Sequence, residues 1–256
     1  MVVSISVGAV GVPLGDVWGI VAGRATGGPP GTDPVTEQIV WDFRTPRVVL
    51  AVLAGAGLAV AGVALQAIVA NPLADPTVLG FSSGASLGAV IAVTGVSGAA
   101  LGGVGVSTAA FLGALAAGTL VFVLGRRAGR VAPTRLVLSG VAVGYLFLAA
   151  TSFLQLRATP TELRTVMFWM LGSVAGAEWG QLPVITVVVL LGTAVLTVSG
   201  WRLNALLAGD ESALSLGVDV HRFRGFLLVC SALLTGTVIA VAGGIGFVGL
   251  MIPHLV

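Results

Sequence analysis

Long apolar segments without interruption limit the folds open to this sequence more than any other feature. A helix needs about 20 apolar residues to cross the hydrocarbon core of a membrane. The apolar runs here are continuous and do not alternate, which favours helices over a barrel, and only these two structures satisfy every backbone group in lipid. Six segments qualify as spans, at approximately 46–69, 79–100, 104–124, 135–155, 182–200 and 225–242.

The low content of charged residues excludes a soluble globular domain. Only 9% of the residues are charged and 57% are hydrophobic, whereas soluble domains carry about 25% charged residues. We therefore predict an all-α fold, a polytopic transmembrane bundle with about six complete spans, in a single domain over residues 1–256. Short apolar stretches at 1–12 and after 245 predict partial helices at both ends. We expect the chain to be a fragment of a longer protein.

The distribution of arginine predicts how the bundle lies in the membrane. Four arginines and no acid occupy the short connection 125–135, and positive charge marks cytoplasmic loops. Because successive spans alternate in direction, connections 70–78 and 201–224 share this face. Connections 24–47 and 156–181, which we interpret as loops, lie on the outer face.

Two arginines flank a proline where the first full span begins, at Arg44 and Arg47. They could anchor the helix at the membrane interface. Alternatively, they could bind acidic groups of an external partner, because guanidinium pairs with carboxylate through two hydrogen bonds.

The segment that follows the first span contains two prolines four residues apart, Pro72 and Pro76, which a regular helix cannot accommodate. Asn71 is biased towards an extended conformation by the proline after it. The helix must therefore break here, against protein or a watery cavity. Asn71 and Asp75 are candidates to cap the next helix.

A short amphipathic helix is predicted in connection 201–224. Asp210, Glu211 and Ser212 favour a helix start, and Gly217 favours its end. The apolar residues assigned to this helix are Leu206, Leu207, Ala213, Leu214 and Leu216. The predicted helix could pack on the bundle, or it could insert into a groove of a partner protein.

Near the end of the sequence, three glycines within residues 243–246 interrupt the apolar pattern. Pro253 and His254 follow in the next apolar stretch. A lone histidine of this kind is more often a hydrogen-bonded structural residue than a ligand-binding one, but an ionisable group in a membrane segment is a functional candidate.

No chemistry of an enzyme is visible in the sequence. It has no phosphate-binding loop, no cluster of metal ligands and no nucleophile arrangement, so we predict neither a catalytic site nor a bound cofactor. The single cysteine, Cys230, is interpreted as a small apolar residue.

Taken in order, the four motifs resemble those of the permease subunits of iron-siderophore, haem and cobalamin ABC importers, the FecCD-type family. The matching residues are Arg44 to Arg47, Gln66 with Asn71 to Gly80, Gly209 to Gly217, and Gly243 to His254. One departure occurs in the third motif. Two acids follow Gly209, so the position of the acid relative to the glycine differs from the family pattern.

The resemblance implies a permease subunit of the cytoplasmic membrane that carries an iron-siderophore-type ligand, while a separate subunit hydrolyses ATP. Arg44 and Arg47 would receive an external binding protein, and two permeases, identical or different, would form the path between them. Residues of the path would be Gln66, Asn71, Pro72, Pro253 and His254. The segment that receives the ATPase would be Gly209, Asp210, Glu211, Ser212, Ala213, Leu216 and Gly217.

Other classes of protein remain open alternatives. A secondary transporter or channel would need charged groups within the spans for ion coupling, and the six spans contain almost none. A membrane-embedded enzyme would need a catalytic constellation. The chain could also be inactive as a fragment.

Overall fold

The computed structural model describes residues 1–27, 33–95, 105–127 and 130–255. Within these ranges the chain is a bundle of helices with one small antiparallel hairpin, β1 (Arg126–Arg127) and β2 (Arg130–Val131). The α-helices of the described residues are α1 (Val2–Ser6), α2 (Leu14–Thr26), α3 (Pro34–Gln38), α4 (Thr45–Val69), α5 (Phe81–Val93), α6 (Val106–Gly125), α7 (Pro133–Arg157), α8 (Pro160–Met170), α9 (Leu182–Val198), α10 (Gly200–Leu207), α11 (Asp210–Ser215), α12 (Val220–Ala242) and α13 (Val248–Leu255). A π-helical segment, Ile39–Arg44, joins α3 to α4, and 3₁₀ turns occupy Pro76–Leu79 and Trp179–Gln181.

Five helices of the described residues are long and apolar enough to cross a membrane, and they coincide with five of the six predicted spans. These are α4 with its N-terminal extension, α6, α7, α9 and α12. The remaining prediction, 79–100, coincides with α5, which has 13 residues. Residues 96–100 of that prediction lie outside the described residues. The predicted fold class, an all-α polytopic bundle, is therefore confirmed.

Local sequence determines where several of these helices begin and end. Pro133 starts α7, where the amide hydrogen that proline lacks would have no partner. Asp219 caps α12 by accepting a hydrogen bond from the Arg222 amide. The same helix ends at Gly243, whose φ of 73° and ψ of −163° are accessible essentially to glycine alone. The predicted break after α12 is confirmed.

The centre of the bundle is formed by α4 and α12, which pack against each other and against α9, while α6 covers α12 and α13 lies on α4. Of the apolar spans, α12 is the most buried, and α7 and α9 expose most of their length. Large apolar side chains on these outer helices, such as Leu146 and Leu190, face away from the bundle. This arrangement suits helices surrounded by lipid.

Small residues allow α5 and α6 to approach closely. A β-carbon placed on Gly84 would lie 2.3 Å from the Gly113 carbonyl oxygen, and one on Gly88 would lie 2.1 Å from the Ala109 oxygen. Backbone contact of this kind replaces the hydrophobic driving force that is missing between helices in lipid.

The connections are more ordered than the sequence analysis predicted. The interpretation of 24–47 as a loop is wrong for most of its length, because residues 24–26 belong to α2 and residues 34–47 are helical and continuous with the rest of α4. Asp33 caps this extension by accepting a hydrogen bond from the Thr36 amide. The outer connection 156–181 likewise contains α8, whose start is fixed by reciprocal hydrogen bonds between Thr159 and Glu162. These bonds from Thr159 lower the pKa of the Glu162 carboxyl.

Contacts between connections agree with the predicted grouping of the connections on two faces. On the face predicted to be outer, the rings of Trp41 and Trp179 stack with centroids 4.6 Å apart, and the Trp179 indole donates a hydrogen bond to the Trp41 carbonyl. On the other face, the Val131 amide donates a hydrogen bond to His221 Nδ1 at 3.2 Å. Connections 24–47 and 156–181 therefore share one face, and connections 125–135 and 201–224 share the other. This is the grouping expected when successive spans alternate in direction.

Candidate translocation and docking sites

The two outer arginines have different surroundings. The Arg44 guanidinium donates hydrogen bonds to the carbonyl oxygens of Ile5, at 2.8 Å, and Ser6, at 3.2 Å, and also to that of Val10. Arg47 is exposed and has no hydrogen bond or ion pair to the described residues. Arg44 thus ties the N-terminal segment to the start of α4, and Arg47 leaves its guanidinium available to a partner.

The predicted break after α4 is confirmed. Ala70 ends the helix in the left-handed region at φ 53°. The Asn71 side chain accepts a hydrogen bond from the Leu73 amide at 2.9 Å, and Asp75 accepts one from the Thr77 amide at 2.8 Å. Gly80, at φ 76°, then directs the chain into α5. A cavity of 170 Å³ lies beside this segment, lined in part by Asn71 and Asp75.

The broken segment and the glycine-rich motif meet against α4. The Gln66 side chain donates a hydrogen bond to the Leu250 carbonyl of α13 at 3.4 Å. A β-carbon on Gly249 would lie 2.8 Å from the ring of Pro76, and one on Gly62 would lie 1.9 Å from the Gly249 carbonyl oxygen. In a regular helix, the amide of residue 253 would donate a hydrogen bond to the Gly249 carbonyl. Residue 253 is a proline and has no amide hydrogen, so this bond cannot form. The carbonyl projects instead towards α4.

The remaining path candidates are less closely associated. Asn71 and Pro72 are exposed in the broken segment. Pro253 is half-buried within α13, whereas His254 is exposed and has no hydrogen bond to the described residues. The structure therefore joins Gln66 to the helix that carries Pro253 and His254. Of the five candidates, Asn71 lines the cavity beside the broken segment, and the other four do not.

The predicted amphipathic helix is present as α11, bounded by two glycines in positive φ, Gly209 at 107° and Gly217 at 81°. Ala213 is fully buried and fastens the helix to the bundle. Glu211, Ser212 and Leu216 are exposed, the last with 63% of its surface accessible. The leucines at 206 and 207, which we assigned to the same helix, belong to the separate helix α10.

Asp210 differs from its exposed neighbours because it forms an ion pair inside the protein. Its two carboxylate oxygens accept hydrogen bonds from Arg224, Nη2 to Oδ1 at 2.7 Å and Nη1 to Oδ2 at 2.9 Å. Nη1 of Arg224 also lies 3.4 Å from the Val131 carbonyl oxygen. Only 2% of the Arg224 side chain is exposed, against 48% for Asp210.

Sequence reasoning did not single out Arg224, although a signal was available. The residue falls on the helical face of α12 that also carries Val220, Leu227 and Leu228, all of which are buried. A charge on a buried face requires a partner of opposite charge, and the acids of the neighbouring connection were the candidates.

Among the described residues, no group of three or more His, Cys, Asp or Glu side chains could hold a metal ion. The exposed candidate segments present arginine, carboxylate and apolar side chains, which suit recognition of a partner.

These features define a class of protein, a polytopic helical membrane protein with exposed candidate docking segments on opposite faces. The chain belongs to the FecCD transport family, whose model matches residues 1–256.

Known relatives carry several different ligands. The chain is 42% identical over 226 residues to the cobalamin import system permease BtuC of Halobacterium salinarum, with 88% of this chain and 60% of that protein aligned. It is 35% identical to the molybdate import system permease MolB of Haemophilus influenzae, with 99% of this chain and 74% of that protein aligned. The chain thus spans only part of the length of these relatives.

A solved structure has the same fold. It is described as an inward-facing conformation of an ABC transporter provisionally assigned to the metal-chelate type. The TM-score is 0.83 at 33% sequence identity, and the match covers 99% of this chain and 75% of that one.

Proposed function

We propose that this chain is the membrane-spanning subunit of an ATP-binding-cassette importer of the cytoplasmic membrane. It forms a translocation path with a second permease and has no ATPase site of its own. Family membership supports the class. The observation that carries the proposal is the placement of an exposed acidic helix, α11, on the face opposite Arg47.

The inner face is suited to receive a motor subunit. Glu211 and Leu214 of α11, and Leu216 directly after it, are exposed, and 58% of the Leu214 surface is accessible. An amphipathic helix of this kind can dock in a groove of a partner. We infer that ABC ATPase subunits bind here, through the segment from Gly209 to Gly217.

The outer face is suited to receive a substrate-binding protein. Arg47 is exposed at the start of the first long span, where a carboxylate of a partner could pair with it through two hydrogen bonds. Arg44 supports the same surface from beneath through its bonds to the N-terminal segment. We propose that both arginines contribute to docking, Arg47 by contact and Arg44 by positioning.

We propose an iron-siderophore-type complex as the ligand. The metal-chelate type assigned to the structural neighbour supports this class, and the cobalamin carried by one relative is also a chelated metal. The proposed path runs beside Gln66, Asn71 and Pro72 and along α13 with Pro253 and His254.

Reconstituted uptake tests the proposal. Proteoliposomes that contain the permease with its cognate ATPase and binding protein should accumulate a ferric siderophore when ATP is enclosed. Uptake should persist when ionophores dissipate proton and sodium gradients. Uptake that follows an ion gradient and ignores ATP would instead establish a secondary transporter. Competition by cobalamin, haem or molybdate would reassign the ligand and leave the class unchanged.

A further inference from the structure

We propose that Arg224 is a positioning residue that fastens the ATPase-docking helix α11 to the membrane span α12, and that Asp210 is its internal anchor. This inference rests on the proposed function and deepens it. It divides the two adjacent acids between two tasks. Asp210 transmits movement within the permease, and Glu211 faces the ATPase.

The geometry of the ion pair restricts orientation as well as distance. Two parallel hydrogen bonds, at 2.7 and 2.9 Å, join the guanidinium to the Asp210 carboxylate. Two parallel hydrogen bonds resist rotation of the carboxylate relative to the guanidinium, whereas a single hydrogen bond does not. A tilt of α11 is therefore passed to the Arg224 side chain and from there to α12.

Burial makes the pair obligatory for the folded state. Arg224 is almost fully enclosed, and its Nε atom has no hydrogen-bond partner in the described part of the chain. A buried guanidinium that loses its carboxylate leaves an uncompensated charge. The bundle therefore favours conformations in which α11 stays attached to α12.

Two kinds of contact hold α11 to the rest of the protein. Glycines in positive φ lie on both sides of it, at 209 and 217. It packs on α10 and buries Ala213, and among the described residues Asp210 is the member of the helix whose side chain bonds to another element. The side-chain hydrogen bonds that join α11 to the span α12 therefore all pass through Arg224.

The same arginine also reaches the neighbouring hairpin. Its Nη1 atom approaches the Val131 carbonyl at 3.4 Å, next to the amide that donates to His221 Nδ1. The start of α12, the hairpin β1–β2 and the docking helix are thereby connected at one point. A force applied to α11 acts on two elements of the bundle together.

Arg224→Lys tests the link, because lysine keeps the charge but cannot form the two parallel hydrogen bonds. The variant is assembled into the complete transporter with its ATPase and binding protein. We expect ATPase association to match that of the wild type. Uptake, and the stimulation of ATP hydrolysis by loaded binding protein, should fall about tenfold, within the range typical of coupling between two sites.

An exchange of the two charges controls for folding. Asp210→Arg and Arg224→Asp should each abolish uptake, and the double variant should recover a substantial fraction of it because the pair is restored in reverse. If Arg224→Lys fails to accumulate, Asp210→Asn takes its place, since this residue is half-exposed. Its uptake and its stimulation of ATP hydrolysis are compared per bound ATPase, because Asp210 belongs to the segment that is proposed to receive that subunit.

Two results would overturn the link. One is wild-type uptake and stimulation in the lysine or asparagine variant. The other is a loss of uptake that is fully explained by a loss of bound ATPase or of folded protein. In that case Arg224 would have only a structural role. Failure of the proposed function looks different, because the wild-type transporter itself would then show no dependence on ATP.

Discussion

The arginines of this protein have different surroundings, and the neighbouring sequence does not show which surroundings each arginine has. Arg44 and Arg47 lie three positions apart, yet one is bonded to backbone carbonyls of the N-terminal segment and the other is exposed. Arg224 is enclosed and paired. All three guanidinium groups carry the same charge. They differ in whether hydrogen-bond acceptors of the protein already occupy them, and this difference determines which of them a partner can bind.

This difference predicts separate effects of substitution at the two outer positions. Arg47→Glu should weaken binding of the external binding protein by about tenfold or more and reduce its salt dependence, because an exposed charge at an interface steers association. Its thermal stability should match the wild type. Arg44→Gln should lower the melting temperature, since it removes charged hydrogen bonds within the protein.

Binding of the purified binding protein, measured by surface plasmon resonance at two salt concentrations, and thermal unfolding in detergent check both effects. A stable Arg44→Gln variant together with an unfolded Arg47→Glu variant would reverse our assignment of the two residues.

At the scale of elements, close contacts between backbones determine where helices sit. Gly55 and Gly62 belong to the same helix, α4, but only Gly62 faces another backbone. The Gly249 carbonyl of α13 occupies the space that a side chain at position 62 would need. Glycine at 62 is therefore a requirement of packing between α4 and α13.

Gly62→Ala should lower the free energy of unfolding by about 1–3 kcal/mol, the usual cost of overpacking. It should also reduce uptake, because it displaces the helix that carries Pro253 and His254. The matched control is Gly55→Ala, where a β-carbon meets nothing within 4 Å. That substitution should be neutral or stabilise α4 by up to about 1 kcal/mol. Equal stability of the two variants in thermal unfolding would contradict the close packing of Gly62 against the Gly249 carbonyl.

Element types were predictable where a single physical effect dominated. Continuous apolar runs located α4, α6, α7, α9 and α12, because lipid requires helices of that length. Asp210, Glu211 and Ser212 at its start, and Gly217 after its end, located α11. Charged connections were predicted less well. Residues 34–44 carry charge and were interpreted as a loop, but their cap at Asp33 and their continuity with α4 make them helical.

Side-chain partners were the least predictable part of the candidate sites. The motif around Asp210 was recognisable, but its pairing with Arg224 joins residues 14 positions apart across two helices. The bonds from Arg44 to Ile5 and Ser6 join segments 39 and 38 positions apart. Such contacts depend on tertiary packing, which periodicity and charge counts do not specify.

For the molecule as a whole, the proposed function requires two faces that are separated by the spans. Trp41 and Trp179 join the connections of one face, and Val131, His221 and Arg224 join those of the other. The faces are separated by spans of 20 residues or more, such as α6 and α12, and each residue of a helix adds about 1.5 Å. The proposed binding protein and the proposed ATPase would therefore dock at the same time without contact between them.

Accessibility of single cysteines to a membrane-impermeant maleimide tests this arrangement most directly. In a Cys230→Ala background, Val35→Cys marks the face of Arg47 and Asn204→Cys marks the face of α11; both positions are exposed. We predict that right-side-out vesicles label only Val35→Cys and that inverted vesicles label only Asn204→Cys. Labelling of both cysteines from the same side would contradict the sidedness, and with it the assignment of this chain as an importer subunit.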